Sequence, residues 1–173
     1  FGFTEAQLPP GLSLALGSGS MTPLELTTAY CTFPNSGYQV TPFIIHRLTN
    51  YQDEVLFQAP STILSEKSRI LTPQTAYMIT SMLQDTIKTG TGRPAKILKR
   101  QDLAGKSGST NNWVDAWFTG YNRELVVSTW MGFDDNRSMK EYSVRTTLPM
   151  WIYFMKAALK NKPNQIPQQP PGL

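Results

Sequence analysis

Apolar residues recur at helical spacing in three stretches of this chain. Leu26, Ala29, Tyr30 and Phe33 fall at i, i+3, i+4 and i+7 and predict a helix with one buried face. Thr22 suits its N-cap, Pro23 its first position, and Glu25 completes a capping box. Pro34-Asn35-Ser36-Gly37 stops it. Thr72-Pro73 repeats the same start, and Ala76, Ile79, Leu83 and Ile87 line one face of a second helix. Met78 and Met82 lie beside that face and read as gap-filling core. Lys88 falls in the last turn and Gly90 ends the helix. A third helix is capped by Thr147, with Pro149 in its first turn. Its expected buried face is Trp151, Phe154, Met155, Ala158 and Leu159.

Between the helices the period shortens. Val40 to Leu48 and Glu54 to Phe57 are rich in β-branched and aromatic residues, with turn chemistry from Asn50 to Asp53, and predict a small hairpin. Three further strands are expected at about 102–108, 113–121 and 125–133. Their joins, near Ser109 to Asn112 and Asn122 to Glu124, are short, so the strands must pair antiparallel. Residues 1–20 read as loop around a short apolar piece, Leu12 to Leu16. Gly90-Thr-Gly-Arg-Pro-Ala95 reads as a flexible loop and Asp134 to Arg145 as a polar one. Prolines at 163, 167, 170 and 171 predict an extended, loose tail. The expected organisation is a unit over 1–162 followed by a Pro-rich tail over 163–173. Helices, a three-stranded meander and a covering helix make an α+β layer architecture.

Composition narrows the function classes. Of the 173 residues 40% are hydrophobic and 16% charged, a globular balance with enough chain for a sizeable core. The 16 Lys+Arg against 12 Asp+Glu give +4, but the basic residues are scattered, which argues against nucleic acid as a partner. Cys31 is the single cysteine and His46 the single histidine. Cys31 reads as a small core residue and His46 as a surface or packed one. No Cys/His/Asp/Glu cluster has metal-ligand spacing, and no cofactor is expected. No window approaches the ~20 apolar residues of a membrane span.

The candidate chemistry sits in Asp102-Leu-Ala-Gly-Lys-Ser-Gly-Ser-Thr-Asn111. This reads as an edge strand with an anion site. Lys106 supplies a compact charge, Ser107 and Ser109 supply hydroxyls, and Gly108 admits a ligand close to the backbone. A phosphate-cradling loop would need glycine five residues before Gly105, where Arg100 stands. Gly90 to Ala95 fits a dinucleotide fingerprint formally, yet it follows a helix where a strand is required.

Lys106-Ser107-Gly108 resembles the Lys-Thr/Ser-Gly motif of the serine penicillin-binding proteins and β-lactamases. The resemblance extends through Leu14 to Leu26, Ala29-Tyr30, Asn35-Ser-Gly-Tyr38, Gly90 to Ala95, Asp115-Ala-Trp-Phe-Thr-Gly-Tyr121 and Trp130-Met-Gly-Phe-Asp-Asp135, in one order. It is similar to the C-terminal part of the transpeptidase domain of class A high-molecular-weight penicillin-binding proteins, 1A type. Ser107 and Ser109 stand where many members have threonine.

The resemblance implies part of a β-lactamase/transpeptidase-like fold and a serine-type D,D-transpeptidase that cross-links peptidoglycan. Lys106 and the Ser109 backbone N–H, as oxyanion donor, would be its catalytic groups here. Lys106, Ser107, Gly108, Ser109 and Thr110 would bind substrate. The partners implied are the peptidoglycan stem peptide, β-lactams, and an upstream part of the domain carrying the Ser-x-x-Lys and Ser-x-Asn motifs. No serine of this sequence has lysine three residues on, so this chain alone is expected to be inactive. The implied location is periplasmic or otherwise extracytoplasmic, with an anchor in the inner membrane upstream of Phe1. A serine β-lactamase fragment and a non-catalytic peptide- or wall-binding module are the alternatives.

Overall fold

A computed structural model of the protein describes residues 1–60 and 65–173. In chain order it has α1 (Pro23–Cys31), β1 (Arg47–Thr49), β2 (Val55–Gln58), α2 (Pro73–Lys88), β3 (Ala104–Ser109), β4 (Asp115–Tyr121), β5 (Val126–Gly132) and α3 (Thr147–Ala158). The pairing is antiparallel throughout, with β1–β2 as a hairpin and β3-β4-β5 as a three-stranded sheet. This is the α+β arrangement expected.

The helix starts follow from capping. Thr22 Oγ1 accepts the Glu25 N–H at 3.2 Å, and the Glu25 carboxylate accepts the Thr22 N–H at 2.7 Å. Hydrogen bonds from the Thr22 N–H and hydroxyl, then from Gln7, hold the Glu25 carboxyl below the usual range against slight burial. At α2 the Thr72 hydroxyl accepts the Thr75 N–H. At α3 the cap is Thr146, one residue before the expected one, and it makes no side-chain cap bond.

The core lies between the sheet and α3. Side chains alternate along a strand, so Ala116, Phe118 and Gly120 share one face of β4. Trp151 of α3 packs there, 5.1 Å from the Phe118 ring centroid, and its indole N–H donates to the Gly120 carbonyl. Ile87, Ala95, Leu103, Leu148, Met155 and Leu159 complete the cluster. On the opposite face Tyr121 stacks on Phe33 at 6.2 Å, and its hydroxyl meets Thr80 Oγ1 at 3.0 Å. Burial pushes the Tyr121 phenol far up. Helix α2 therefore crosses the outer edge of β3. Thr80 reaches one face, the Thr86 hydroxyl donates to the Gly105 carbonyl at the edge, and Ile87 joins the core on the other.

Several expectations are corrected. Met78 and Met82 are exposed; the buried stripe of α2 runs through Ala76, Thr80 and Ile87. Thr80 can be buried because its hydroxyl is bonded to Ala76 O and Tyr121. Phe154 points outward, and Leu148, Trp151 and Met155 form the inner face of α3, continued by Leu159 at its C-cap. Gly90 to Ala95 is not a flexible loop. Residues Arg93–Leu98 form a 3₁₀ helix, and Ala95 is buried in the core. The first hairpin strand is only Arg47–Thr49, and Cys31 is only half-buried. The tail after Pro163 is extended but not loose, because side chains near the start of β3 bind its backbone.

Candidate functional site

β3 is an edge strand, and its hydrogen bonds fix which groups face outward. Thr110 N–H bonds to Asp115 O across to β4, while Gly105 O accepts from Thr86 and Ser107 O accepts from Lys106 Nζ at 2.7 Å. In an antiparallel ladder the N–H and C=O of one residue point the same way, alternating along the strand. Even-numbered residues 104 to 110 therefore pair inward, and Gly105, Ser107 and Ser109 turn their backbone groups to the outer edge. α2 covers that edge at Gly105, and among the described residues the open stretch begins at Ser107.

The side chains split between two faces. Lys106 and Gly108 pair with Thr119 and Trp117, while Ser107 and Ser109 pair with Phe118 and Ala116. Lys106 thus leaves the sheet on the side opposite the two serine hydroxyls, and its exposed ammonium curls back to the edge at Ser107 O. Each hydroxyl is tethered to a different loop. Ser107 Oγ meets Thr91 Oγ1 at 2.8 Å. Ser109 Oγ donates to Ser143 Oγ at 3.2 Å and accepts the Ser143 N–H. The Thr110 hydroxyl accepts the Asp115 N–H at 2.8 Å and closes the β3–β4 loop. That loop carries Trp113, stacked edge-on against Tyr142 at 5.5 Å beside the Ser109–Ser143 contact.

Lys106, Ser107, Gly108 and Ser109 are thus brought to one strand edge, and Thr110 closes the loop behind it. Thr91 and Ser143 belong to the site but escaped sequence reading. Thr91 stands in a segment whose glycines suggested only a loop, and Ser143 in a polar stretch without periodicity. Among the described residues a Cβ at Gly108 would meet nothing nearer than Trp117 Cβ at 3.4 Å, so their packing alone does not demand glycine there. Among the described residues no group of three or more His, Cys, Asp or Glu is placed to hold a metal ion. Among them, too, no helix is long and apolar enough to cross a membrane.

A three-stranded meander clasped by helices, with a lysine-bearing edge strand, defines an α+β unit. The family model of the penicillin binding protein transpeptidase domain matches residues 10–150, and the chain belongs to that family. It is 38% identical over 221 residues to penicillin-binding protein 1A of Pseudomonas aeruginosa, covering all of this chain and 27% of that protein. Against penicillin-binding protein 1A of Neisseria lactamica the identity is 36% over 176 residues, covering all of this chain and 22% of the relative. The chain thus spans about a quarter of the length of these relatives. The crystal structure of penicillin-binding protein 1A from Haemophilus influenzae superposes with a TM-score of 0.87 at 31% identity, over 98% of this chain and 31% of that one. The penicillin-binding protein PonA1 from Mycobacterium tuberculosis shares the fold, with a TM-score of 0.77 at 23% identity over 95% of this chain and 48% of that one.

Proposed function

We propose that this chain is the C-terminal part of a serine-type peptidoglycan D,D-transpeptidase and supplies its substrate-binding strand. The observation that carries the reading is the edge of β3, where the Lys106 ammonium donates to the outward Ser107 carbonyl and Ser109, two residues on, turns its backbone the same way. A stem peptide ending in D-Ala-D-Ala would lie along that edge and pair with main-chain groups. A serine from an upstream part of the domain would attack the carbonyl of the D-Ala–D-Ala bond. The Ser109 N–H would bind the oxyanion, and the terminal D-Ala would leave. Loss of one such donor typically costs ~10²–10³ in rate.

The terminal carboxylate falls to Lys106 and Ser107. Ser107 shares its hydroxyl with Thr91 and can redirect it, whereas the Ser109 hydroxyl is engaged twice by Ser143. Ser109 therefore acts through its backbone, and Thr110 through the loop it closes. Gly108 leaves the Lys106 face of the strand free for the ligand. Such an enzyme works outside the cytoplasm on the cell wall, held to the inner membrane by a segment upstream of this chain.

The test is second-order acylation of the complete protein by a penicillin. Lys106→Ala should slow it by at least ~10²-fold, about 3 kcal/mol of transition-state stabilisation. The melting temperature should hold, because Lys106 is exposed. Lys106→Arg should restore only part of the rate, since a planar fork replaces a compact charge. Ser107→Ala should cost less, a neutral hydrogen bond being worth ~1 kcal/mol net. A folded Lys106→Ala protein that acylates at the parent rate would remove Lys106 from the site. Rapid turnover of the penicillin would favour a β-lactamase.

A further inference from the structure

A second set of polar contacts lies at the other end of β3, and the transpeptidase reading does not use it. Arg100 and Asp102 form a two-pronged ion pair, Nε to Oδ1 at 2.9 Å and Nη2 to Oδ2 at 2.6 Å. Their side chains are 9% and 0% exposed. Arg100 also donates to the backbone carbonyls of Lys162 at 2.8 Å and Pro163 at 2.7 Å. Asp102 Oδ2 accepts the Gln165 backbone N–H at 3.0 Å and the Asn122 amide at 3.3 Å. The Gln101 N–H donates to the Asn164 side chain, and Lys162 pairs with Glu124 at 2.6 Å. Further along, Gln74 of α2 donates to Pro171 O. The proline-rich segment thus runs from the end of α3 to the start of α2. It roofs a cavity of about 220 Å³ lined by Phe33, Tyr77, Tyr121, Pro167 and Pro170.

We infer that residues 162–171 are a strap that fixes the start of the substrate strand, with Arg100 and Asp102 as its clasp and as positioning residues for Lys106. This rests on the transpeptidase reading above. Asp102 lies four residues before Lys106, about 13 Å along an extended chain at ~3.3 Å per residue. Leu103 and Ala104, between the clasp and the open edge, are buried and cannot swing independently. Thr86 then holds Gly105, so displacement of the clasp is passed into the strand whose edge must stay within a fraction of an ångström of working geometry. Two buried charges kept at a strand end, each bonded to the tail backbone, make a specific lock; broken singly, such pairs leave an uncompensated charge.

The experiment uses the complete protein and two variants that open the lock from opposite sides. Asp102→Asn removes the charge that Arg100 faces. Gln165→Pro removes the tail N–H given to Asp102, in a segment that already carries Pro163 and Pro167. Hydrogen exchange is followed for residues 102–109 and, as a reference, for 147–158. Penicillin acylation is resolved into the binding constant and the rate at saturation. Both variants should speed exchange over 102–109 by roughly tenfold or more while 147–158 stays protected. The saturated acylation rate should fall roughly fivefold to tenfold with little change in binding. Unchanged exchange over 102–109 in Gln165→Pro, or an equal rise in both segments, overturns the strap. A parent protein that penicillin does not acylate overturns the transpeptidase reading instead, and the exchange result still decides the strap.

Discussion

The sheet β3–β5 and the hairpin β1–β2 are made of similar residues, yet they end in opposite environments. In the sheet Phe118 is 0% exposed, as is Trp151 above it. In and beside the hairpin Ile44 is 98% and Leu56 63% exposed, and Phe43, Leu48 and Phe57 are open as well. The difference is the second layer. Helix α3 lays a stripe of large side chains on one face of β4, and α1 and α2 cover the Tyr121 end of the other. Among the described residues the hairpin has two strands and no helix laid across it, only Leu24 at the start of α1 lining the same apolar cleft, and two strands alone are marginal in water. β-propensity sets strand formation in both regions; coverage decides which region stabilises the fold.

The largest expected effect tests the covered region. Trp151→Ala should lower stability by roughly 3–5 kcal/mol, the usual cost of deleting a large buried aromatic. The check is the denaturation midpoint followed by intrinsic fluorescence. Gly120→Ala comes next. A Cβ there would stand 2.7 Å from Trp151 Cζ2 and 2.9 Å from Ala104 O. One of them must shift, at a cost of about 1–3 kcal/mol. Gly108→Ala, on the same sheet but facing the open cleft, should leave the midpoint unchanged and slow acylation. A loss of stability at Gly108 equal to that at Gly120 would show that the open edge is packed like the core.

Local chemistry made much of this legible. The Thr-Pro starts named the first residues of α1 and α2, and the short joins dictated the antiparallel meander. At Asn122 the side-chain oxygen accepts the N–H groups of Glu124 and Leu125, turn chemistry that a sequence displays directly. What stayed hidden depends on partners far along the chain. Thr91 is 16 residues from Ser107 and Ser143 is 34 from Ser109. Nothing in the local pattern of either loop announces a hydroxyl pair. The tail read as loose because proline excludes regular structure, but proline keeps its carbonyl, and Arg100 binds the one on Pro163. Met78 and Phe154 were misplaced for a related reason. A periodic stripe fixes a face only to within a neighbouring position, and the packing partner chooses between them.

The smallest expected effect sharpens the contrast from the hairpin side. Ile44 keeps nearly all its surface in water, so Ile44→Ser loses little burial, whereas the same loss of apolar surface at a covered site would cost ~25 cal/mol per Å². The stability of this chain should change by less than about 0.5 kcal/mol, the range for open surface positions. Leu56→Ser, further along the same hairpin, should behave alike. Measured in the complete protein, the pair becomes a probe of coverage. Midpoints equal to the parent would leave the hairpin an uncovered two-stranded unit, as it is here. A loss beyond about 1.5 kcal/mol would mean that another part of the protein lies on these side chains, since only a buried apolar group can cost that much on truncation.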